Sequence, residues 1–464
     1  MPFSVCIVGG GLVGALEAIY MAKRGWDVHV YESRGDPRSE VVTEGRSINL
    51  AMSHRAITAM EKVGVSEEVM RWVVPMKGRM IHSLDGSTAS QPYSIRGECI
   101  NSVERKRLNE FLLAEAEKHP NVKVYFQHRL SEANLDSGHL VFEGPDKRTV
   151  DVNADLIVGA DGVYSLVRSN VMKRVRMDFQ QTYIDHGYVE LHMEPSSDGN
   201  WQMDPNHLHI WPKHSYMMIA LPNPDKTFTL TLFMPWDNFE NLKTEEQVLD
   251  FFKREFPDVV PKVGAEQLVK TFFRNPKGSL VHIKCKPYNY KHRAVFIGDA
   301  AHAMVPFYGQ GMNCGFEDCR VLHEILDKHF GIDSSGKPPS PDELANALSE
   351  YSKIRYPDVT TIVDLAMYNY GEMRHLVTDW RYFIRKKVEG WLHLLVPRTV
   401  IPLYSMVSFS SIPYSEVMQR WQNQTAWLER TAEVAILGTA VTALTVTLRI
   451  LNTKVAVSKL LSLQ

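Results

Sequence analysis

Residues 5–14 read Val5-Cys6-Ile7-Val8-Gly9-Gly10-Gly11-Leu12-Val13-Gly14, and this stretch decides the fold. Residues 5–8 are a short apolar run, suited to a strand buried on both faces. Glycines at G-x-G-x-x-G spacing follow, and residues 15–22 continue as a helix former. Gly9 suits a tight turn, Gly11 lets backbone approach a pyrophosphate, and Gly14 lets helix and strand pack closely. The helix start offers free N–H groups and a partial positive charge to phosphates. Asp27–Tyr31 reads as the next strand, with Glu32 at its end. A carboxylate there can accept from ribose hydroxyls and repels a 2′-phosphate.

Alone, that motif says only that a dinucleotide binds. Two later stretches narrow the reading. Residues 155–162 form another buried strand ending in a turn at Asp161-Gly162, with Ser165 and Arg168 just beyond. Residues 294–297 form a third, ending at Gly298-Asp299, and Pro306, Gly309-Gln310-Gly311-Met312-Asn313, Gly315 and Asp318 follow. Residues 309–313 can start a helix whose amides face a ligand and stabilise negative charge on a reduced flavin. Asp299 is placed to accept from a ribityl hydroxyl. Two distant parts of the chain thus close on one long cofactor, most simply FAD, and the chemistry is redox. His302 reads as a packed histidine rather than a proton shuttle.

These three pieces, in this order, resemble the flavoprotein aromatic hydroxylases, the single-component FAD monooxygenases. Further strings are similar to the branch that hydroxylates L-kynurenine: residues 45–51 (GRSINLA), 79–84 (RMIHSL), 207–212 (HLHIWP), 217–223 (MMIALPN), 306–313 (PFYGQGMN) and 367–370 (MYNY). The resemblance implies that Val13, Tyr31, Glu32, Ser33, Arg34, Ala51, Arg105, Leu130, Asp299, Met312 and Asn313 join Gly9, Gly11 and Gly14 in contacting FAD. It implies that Arg79, Tyr93, Asn369 and Tyr404 hold the amino-acid end of L-kynurenine. The residue types agree: Arg79 is a fork for a carboxylate, and the other three offer donors, with an acceptor on Asn369 for an ammonium. Glu372 shares a helix face with Asn369 and can help with the ammonium. Pro306, Phe307 and Tyr308 would shape the flavin face and the ring pocket.

Only one dinucleotide fingerprint is present, so NADPH is expected as a transient co-substrate without a Rossmann domain of its own. The resemblance implies that NADPH reduces FAD and that O2 then forms a flavin C4a-hydroperoxide, whose distal oxygen is attacked by the amine-enriched ring. The cofactor carries that step, and no side chain is assigned as a catalytic acid or base. Water exclusion matters, and the C-terminal helices are the obvious lid.

The fold class expected is α/β. An FAD-binding Rossmann-like domain is discontinuous over residues 1–70, 100–175 and 290–330. Residues 71–99 and 176–289 alternate apolar and polar, as an antiparallel β-sheet substrate domain would. A Ser/Gly/Pro linker leads to a helical domain over 342–430. Residues 433–452 form a probable membrane anchor: 434–448 are uncharged, Arg449 can snorkel, and lysines follow. Such a helix can span a membrane or lie in its interface. The resemblance implies the mitochondrial outer membrane, with the catalytic body facing the cytosol.

At 464 residues the chain exceeds one core. Its net charge of −2 excludes a broad basic face for nucleic acid. The five cysteines include no C-x-x-C pair and read as reduced, buried thiols, and no Cys/His cluster has metal-ligand spacing. Oligomeric state is left open. Two rival functions stay open at this level: an enzyme of the same fold acting on a phenol, quinone precursor or polyene, and a membrane-tethered flavoprotein scaffold.

Overall fold

The computed structural model describes residues 2–39, 49–332, 334–374, 390–396, 399–428, 430–431, 442, 445–447 and 449. Its first layer is a six-stranded sheet in the order Asn289–Tyr290, Ala294–Phe296, Leu156–Gly159, Ser4–Val8, Asp27–Tyr31, Val122–Tyr125. All neighbours are parallel except the pair of residues 289–290 with 294–295. Val8 lies opposite Tyr31 and Gly159, and Gly159 opposite Phe296. Parallel register therefore brings the turns after three strands, at Gly9, Ala160-Asp161 and Gly298-Asp299, to one edge. That edge, beyond the carboxyl ends of the strands, is where open α/β sheets bind ligands.

The helix Leu12–Lys23 packs on this sheet with Leu16, Ile19 and Met21 buried. A Cβ on Gly14 would stand 1.9 Å from the Gly9 carbonyl oxygen, so only glycine allows the approach. Gly9 has φ +105°, and a Cβ there would meet the Ala160 carbonyl oxygen at 2.4 Å.

The second layer is a seven-stranded sheet in the order Gly278–Lys286, Asp178–Met193, Phe228–Pro235, Tyr216–Pro222, His207–Lys213, Gly78–His82, Thr88–Pro92. One pair departs from the antiparallel expectation: residues 207–210 run parallel to 78–81. The hairpin of residues 78–92 enters from a separate stretch of chain, so no tight turn obliges it to run antiparallel. Alternation then sorts the faces. In Tyr216–Pro222, Met217, Ile219 and Leu221 face the flavin-domain side, while Met218 and Ala220 join a core with Leu230, Leu232, Phe251, Phe252 and Phe272.

That second core rests on helices Glu245–Glu255 and Ala265–Arg274, which the sheet reading of residues 176–289 did not include. Glu245–Glu255 starts with a full capping box: the Thr244 side chain accepts from the Gln247 amide at 3.2 Å, and the Gln247 side chain accepts from the Thr244 amide at 3.1 Å.

The long helix Pro341–Arg374 starts at Ser340, whose hydroxyl accepts from the Glu343 amide at 3.3 Å, and continues through an internal Pro357. It packs on the helix Gly311–Phe330. The expected anchor at 433–452 lies outside the described residues apart from a few positions, as does the linked string at 45–48. Among the described residues no helix is long and apolar enough to cross a membrane.

Candidate active site

A cavity of about 790 Å³ runs between the two sheets, within the ~300–1,000 Å³ range of small-molecule sites. At one end its wall is Gly9, Gly11, Val13, Tyr31, Glu32, Ser33 and Arg34. Ala51, Arg105, Leu130, Asp299 and Met312 also line it, and Arg79, Tyr93, Asn369 and Tyr404 form a separate cluster of side chains on its wall. Sixteen of the eighteen site residues expected from sequence thus stand on one wall. Gly14 is set back, packed on Gly9. Asn313 is also set back: its side chain donates to the carbonyls of Ala51 (2.8 Å) and Gly309 (2.7 Å) and accepts from the Ser53 amide at 2.8 Å. It therefore fixes two cavity-lining loops rather than lining the wall itself.

The cradle end suits an adenine dinucleotide. A Cβ on Gly11 would meet nothing within 4 Å, so this backbone faces open cavity at the start of helix Leu12–Lys23. Glu32 is buried; it accepts from the Gly10 amide at 2.8 Å and from the Arg34 amide at 2.9 Å, and pairs with Arg34 Nε at 2.8 Å. Burial pushes its carboxyl up, but these bonds prevail and hold it below the usual carboxylate range. It stays ionised, with acceptor sites left for ribose hydroxyls. Tyr31 stacks on Phe142 at 4.0 Å and on Tyr125 at 4.8 Å.

The Asp161-Gly162 turn is tied down firmly. Asp161 accepts from the amides of Leu166 (2.7 Å) and Val167 (3.2 Å), and burial raises its carboxyl. Arg168, which could have been a surface helix residue, is buried and donates to the carbonyls of Ala300 and Val163, both at 2.6 Å. It joins this turn to the Gly298-Asp299 helix. Next to that helix, Asp318 accepts from the Gly298 amide at 2.8 Å and pairs with His302 Nε2 at 2.5 Å. Burial alone would lower the His302 pKa, but Asp318 outweighs it and raises it well above normal. His302 is thus a packed, ion-paired residue. With Cys314 it forms a group whose ligand atoms lie within 4.8 Å, a cluster that sequence spacing did not show. Arg355 also reaches Asp318, with Nε at 2.9 Å, so a cation already serves this carboxylate and the cluster belongs to an ion network. All five cysteines are free thiols; four are buried and Cys99 is half-buried.

The Arg79 cluster is built from side chains. Arg79 is buried, with Nη1 3.4 Å from Glu372 Oε1 and its guanidinium 5.1 Å from the Tyr404 ring centre. Tyr404 stacks on Tyr93 at 4.8 Å and on Tyr308 at 5.7 Å, nearly parallel to both. Burial raises the hydroxyls of Tyr93 and Tyr404, keeping both protonated. The Asn369 amide donates to the Phe307 carbonyl at 2.7 Å, which anchors the turn Pro306–Tyr308. Phe307 in turn lies on Tyr370 at 3.8 Å. The floor is Leu208, Met217, Ile219, Leu221 and Phe233. Sequence reasoning did not assign these to the site; residues 217–221 are apolar throughout, which marks a strand buried on both faces and does not say which face meets a ligand. The result is an apolar slot with a cation and hydroxyls at one end, and a carboxylate, Glu372, paired with that cation. It fits a flat aromatic ring bearing a zwitterionic head group.

Comparison with known proteins agrees with this geometry. The FAD binding domain family matches residues 3–332. Kynurenine 3-monooxygenase of Anopheles gambiae is 48% identical over 427 residues, covering 91% of this chain and 86% of that protein. The Sus scrofa enzyme of the same name is 47% identical over 421 residues, with 91% and 87% covered. That of Caenorhabditis elegans is 44% identical over 462 residues, with 95% and 97% covered. Among solved structures, 2-methyl-3-hydroxypyridine-5-carboxylic acid oxygenase superposes with a TM-score of 0.65 at 20% identity, covering 81% of this chain and 93% of that one. The p-nitrophenol 4-monooxygenase of Pseudomonas putida gives 0.63 at 18% identity, with 84% and 94% covered. These two share the fold. The chain belongs to the kynurenine 3-monooxygenase family of FAD-dependent aromatic monooxygenases.

Proposed function

We propose that this protein hydroxylates L-kynurenine to 3-hydroxykynurenine, consuming NADPH, a proton and O2 and releasing NADP⁺ and water. One observation carries the reading: a single cavity joins a dinucleotide cradle to an aromatic slot lined by Arg79, Tyr93, Asn369 and Tyr404, with Glu372 paired to Arg79, in a chain 44–48% identical to enzymes of that name. FAD held at Gly9, Gly11, Glu32 and Asp299 supplies the redox and oxygen chemistry.

The chain supplies orientation, charge and dryness. Arg79 receives the substrate carboxylate as a planar fork. Glu372 and the Asn369 amide oxygen accept from its ammonium. The Tyr93 and Tyr404 hydroxyls stay protonated and donate. Met217, Ile219, Leu221 and Phe233 hold the ring against an apolar floor, and that floor keeps water from the oxygen-transferring site. The start of helix Gly311–Phe330 lines the cavity at Gly311 and Met312, where its amides and positive dipole end would favour negative charge on a bound flavin. We assign residues 433–452 to membrane attachment at the mitochondrial outer membrane, with the body in the cytosol. The uncharged run 434–448 and the lysines beyond it support that reading.

The test is NADPH oxidation with and without L-kynurenine, with the organic product weighed by mass spectrometry. Acceleration with a product one oxygen heavier is expected. Acceleration yielding only hydrogen peroxide makes kynurenine a trigger and not the substrate, and no acceleration in an FAD-loaded protein defeats the assignment. Partition into phosphatidylcholine vesicles with and without residues 433–464 tests the anchor: equal partition of both forms defeats it.

A further inference from the structure

A buried chain of ion pairs leaves the cofactor side of the molecule and ends on the segment that carries Tyr404. Asp318 holds the Gly298 amide at 2.8 Å. Arg355 joins Asp318 (Nε, 2.9 Å) to Glu317 (Nη1, 3.0 Å). Arg55 Nη1 then meets Glu317 Oε1 at 2.6 Å. Arg55 does not stop there. Its Nε donates to the Val407 carbonyl at 3.2 Å and its Nη2 to the Ile412 carbonyl at 2.5 Å. None of the side chains of Arg55, Glu317, Arg355 and Asp318 is more than 2% exposed.

The two carbonyls are chemically informative. Val407 lies in the last turn of the short helix Leu403–Ser408, where carbonyls lack intrahelical partners and the dipole end is negative. Ile412 follows the turn after that helix. One guanidinium therefore fixes both sides of the turn that sets where Tyr404 stands. The same guanidinium lies 3.7 Å from the Tyr414 ring centre, and the Tyr414 hydroxyl donates to Gln310 Oε1 at 3.0 Å. Gln310 is the residue before helix Gly311–Phe330, the helix aimed at the cofactor. Arg55 itself follows the cavity-lining strand Asn49–Met52, and the Ser53 amide between them is held by Asn313 at 2.8 Å.

We infer that Arg55 is a positioning residue: it registers the Tyr404 segment, and with it the Tyr93–Tyr404–Tyr308 stack over Arg79, against the cofactor-facing helix. It touches neither substrate nor cofactor. Its effect is on how the substrate ring is held relative to the cofactor end of the cavity, so loss of register would let the two electrons of NADPH reduce O2 to hydrogen peroxide without hydroxylation. The role needs a planar fork, because a single ammonium cannot serve Glu317, Val407 and Ile412 in their different directions. Bulk burial of charge in this network is not its reason, since apolar residues fill such volumes at least as stably.

The inference rests on the kynurenine reading of the cavity, and the experiment separates the two. Arg55→Lys is purified with its FAD and compared with wild type for KM, for the share of NADPH electrons appearing as hydrogen peroxide, and for amide hydrogen exchange over residues 403–412. The expected result is faster exchange in that segment, a KM for L-kynurenine raised about tenfold with a smaller fall in kcat, and a several-fold larger peroxide share. Tyr414→Phe strips one hydroxyl from the same junction; it is expected to move all three readouts in the same direction by less, and it decides the matter where Arg55→Lys does not accumulate. An FAD-loaded variant with wild-type exchange over 403–412, wild-type KM and wild-type peroxide share overturns the inference. Wild-type enzyme that shows no kynurenine-dependent turnover defeats the kynurenine reading instead, and leaves the exchange comparison to judge Arg55 alone.

Discussion

The two ends of the cavity are built by different means. The cofactor end is framed by backbone: turns after parallel strands, glycines without side chains, and a helix start, with Glu32, Arg34, Arg105 and Asp299 adding charged side chains. The substrate end is made of side chains drawn from four places, Arg79, Tyr93, Asn369 and Tyr404, separated by up to 325 positions. At Gly9 and Gly14 this backbone site tolerates no added volume, because the nearest neighbours are main-chain atoms that cannot turn aside. A side-chain site can lose one member and keep its shape, because its parts act as separate donors and charges.

The largest expected effect follows from the first half of that contrast. Gly14→Ala places a methyl 1.9 Å from the Gly9 carbonyl oxygen, and neither atom can rotate away. Loss of FAD and of soluble protein is expected, read from the 450 nm flavin absorbance of the purified fraction. A yellow, active Gly14→Ala enzyme breaks the claim that backbone packing makes this end. Second in size is Arg79→Ala. It removes the cation for the substrate carboxylate and one partner of the buried Glu372. Losses of truncated buried charge pairs run to ~2–5 kcal/mol, so kcat/KM for L-kynurenine is expected to fall about a hundredfold or more, chiefly through KM, with FAD content retained. Steady-state kinetics on the FAD-loaded variant check it, and near-normal hydroxylation would remove the head-group assignment.

The same contrast decides what could be read in the sequence. Each element of the cofactor end is local: apolar run, glycines, helix and acidic residue follow one another within 28 residues, from Val5 to Glu32. Strands Ser4–Val8, Asp27–Tyr31 and Ala294–Phe296 therefore fall where the pattern puts them, to within a residue. The substrate end is not local. Arg79 faces the cavity because of how its strand pairs with residues 88–92 and 207–210, and nothing in residues 78–82 announces that pairing. Only resemblance to relatives named it. The apolar floor at 217–221 was half legible, since an all-apolar run shows a strand covered on both faces but not which face meets a ligand. Helix Glu245–Glu255 carries a local signal, Thr244 and Gln247 at capping-box spacing, inside a region whose overall alternation points to sheet. The Arg55–Glu317–Arg355 network was not legible, because three helices far apart in sequence supply it and no pattern marks a buried charge pair.

Acid should separate the two ends, which gives the third expected effect. Beneath the substrate-side sheet, His82 stands between Asp258 (2.9 Å) and His209 (2.8 Å), and His209 faces the Asp204 carbonyl at 2.8 Å. Burial, helped by its histidine neighbours, lowers the His209 pKa to about 4 from the ordinary 6.5. The folded state thus holds His209 neutral while the unfolded chain takes up a proton below pH 6.5. Stability is full above that pH and falls as pH drops toward 4, by roughly 3 kcal/mol in total from this group. The buried carboxylates Glu317 and Asp318 on the cofactor side are held below normal values, so their contribution is lost only at lower pH. Tm measured between pH 7.5 and 4 is expected to decline, and His209→Gln to flatten that decline. A slope unchanged in the variant assigns the acid sensitivity elsewhere.

The smallest expected effect is also the one that tests the side-chain end most finely. Tyr404→Phe keeps the ring between Tyr93 and Tyr308 and under the Arg79 guanidinium, and it removes one hydroxyl from the cavity wall. A neutral hydrogen bond contributes about 0.5–1.5 kcal/mol net, so KM for L-kynurenine should rise only about two- to tenfold, with kcat and peroxide share close to wild type. Tyr404→Ala removes the ring as well and opens a gap in the stack, and it should add uncoupling to the loss of affinity. If Tyr404→Phe alone produced peroxide at the level of Tyr404→Ala, the hydroxyl would be orienting the reacting ring. The substrate end would then share the intolerance of the backbone-built end. If the two variants separate as expected, the hydroxyl binds and the ring positions, and the pocket's parts act one by one.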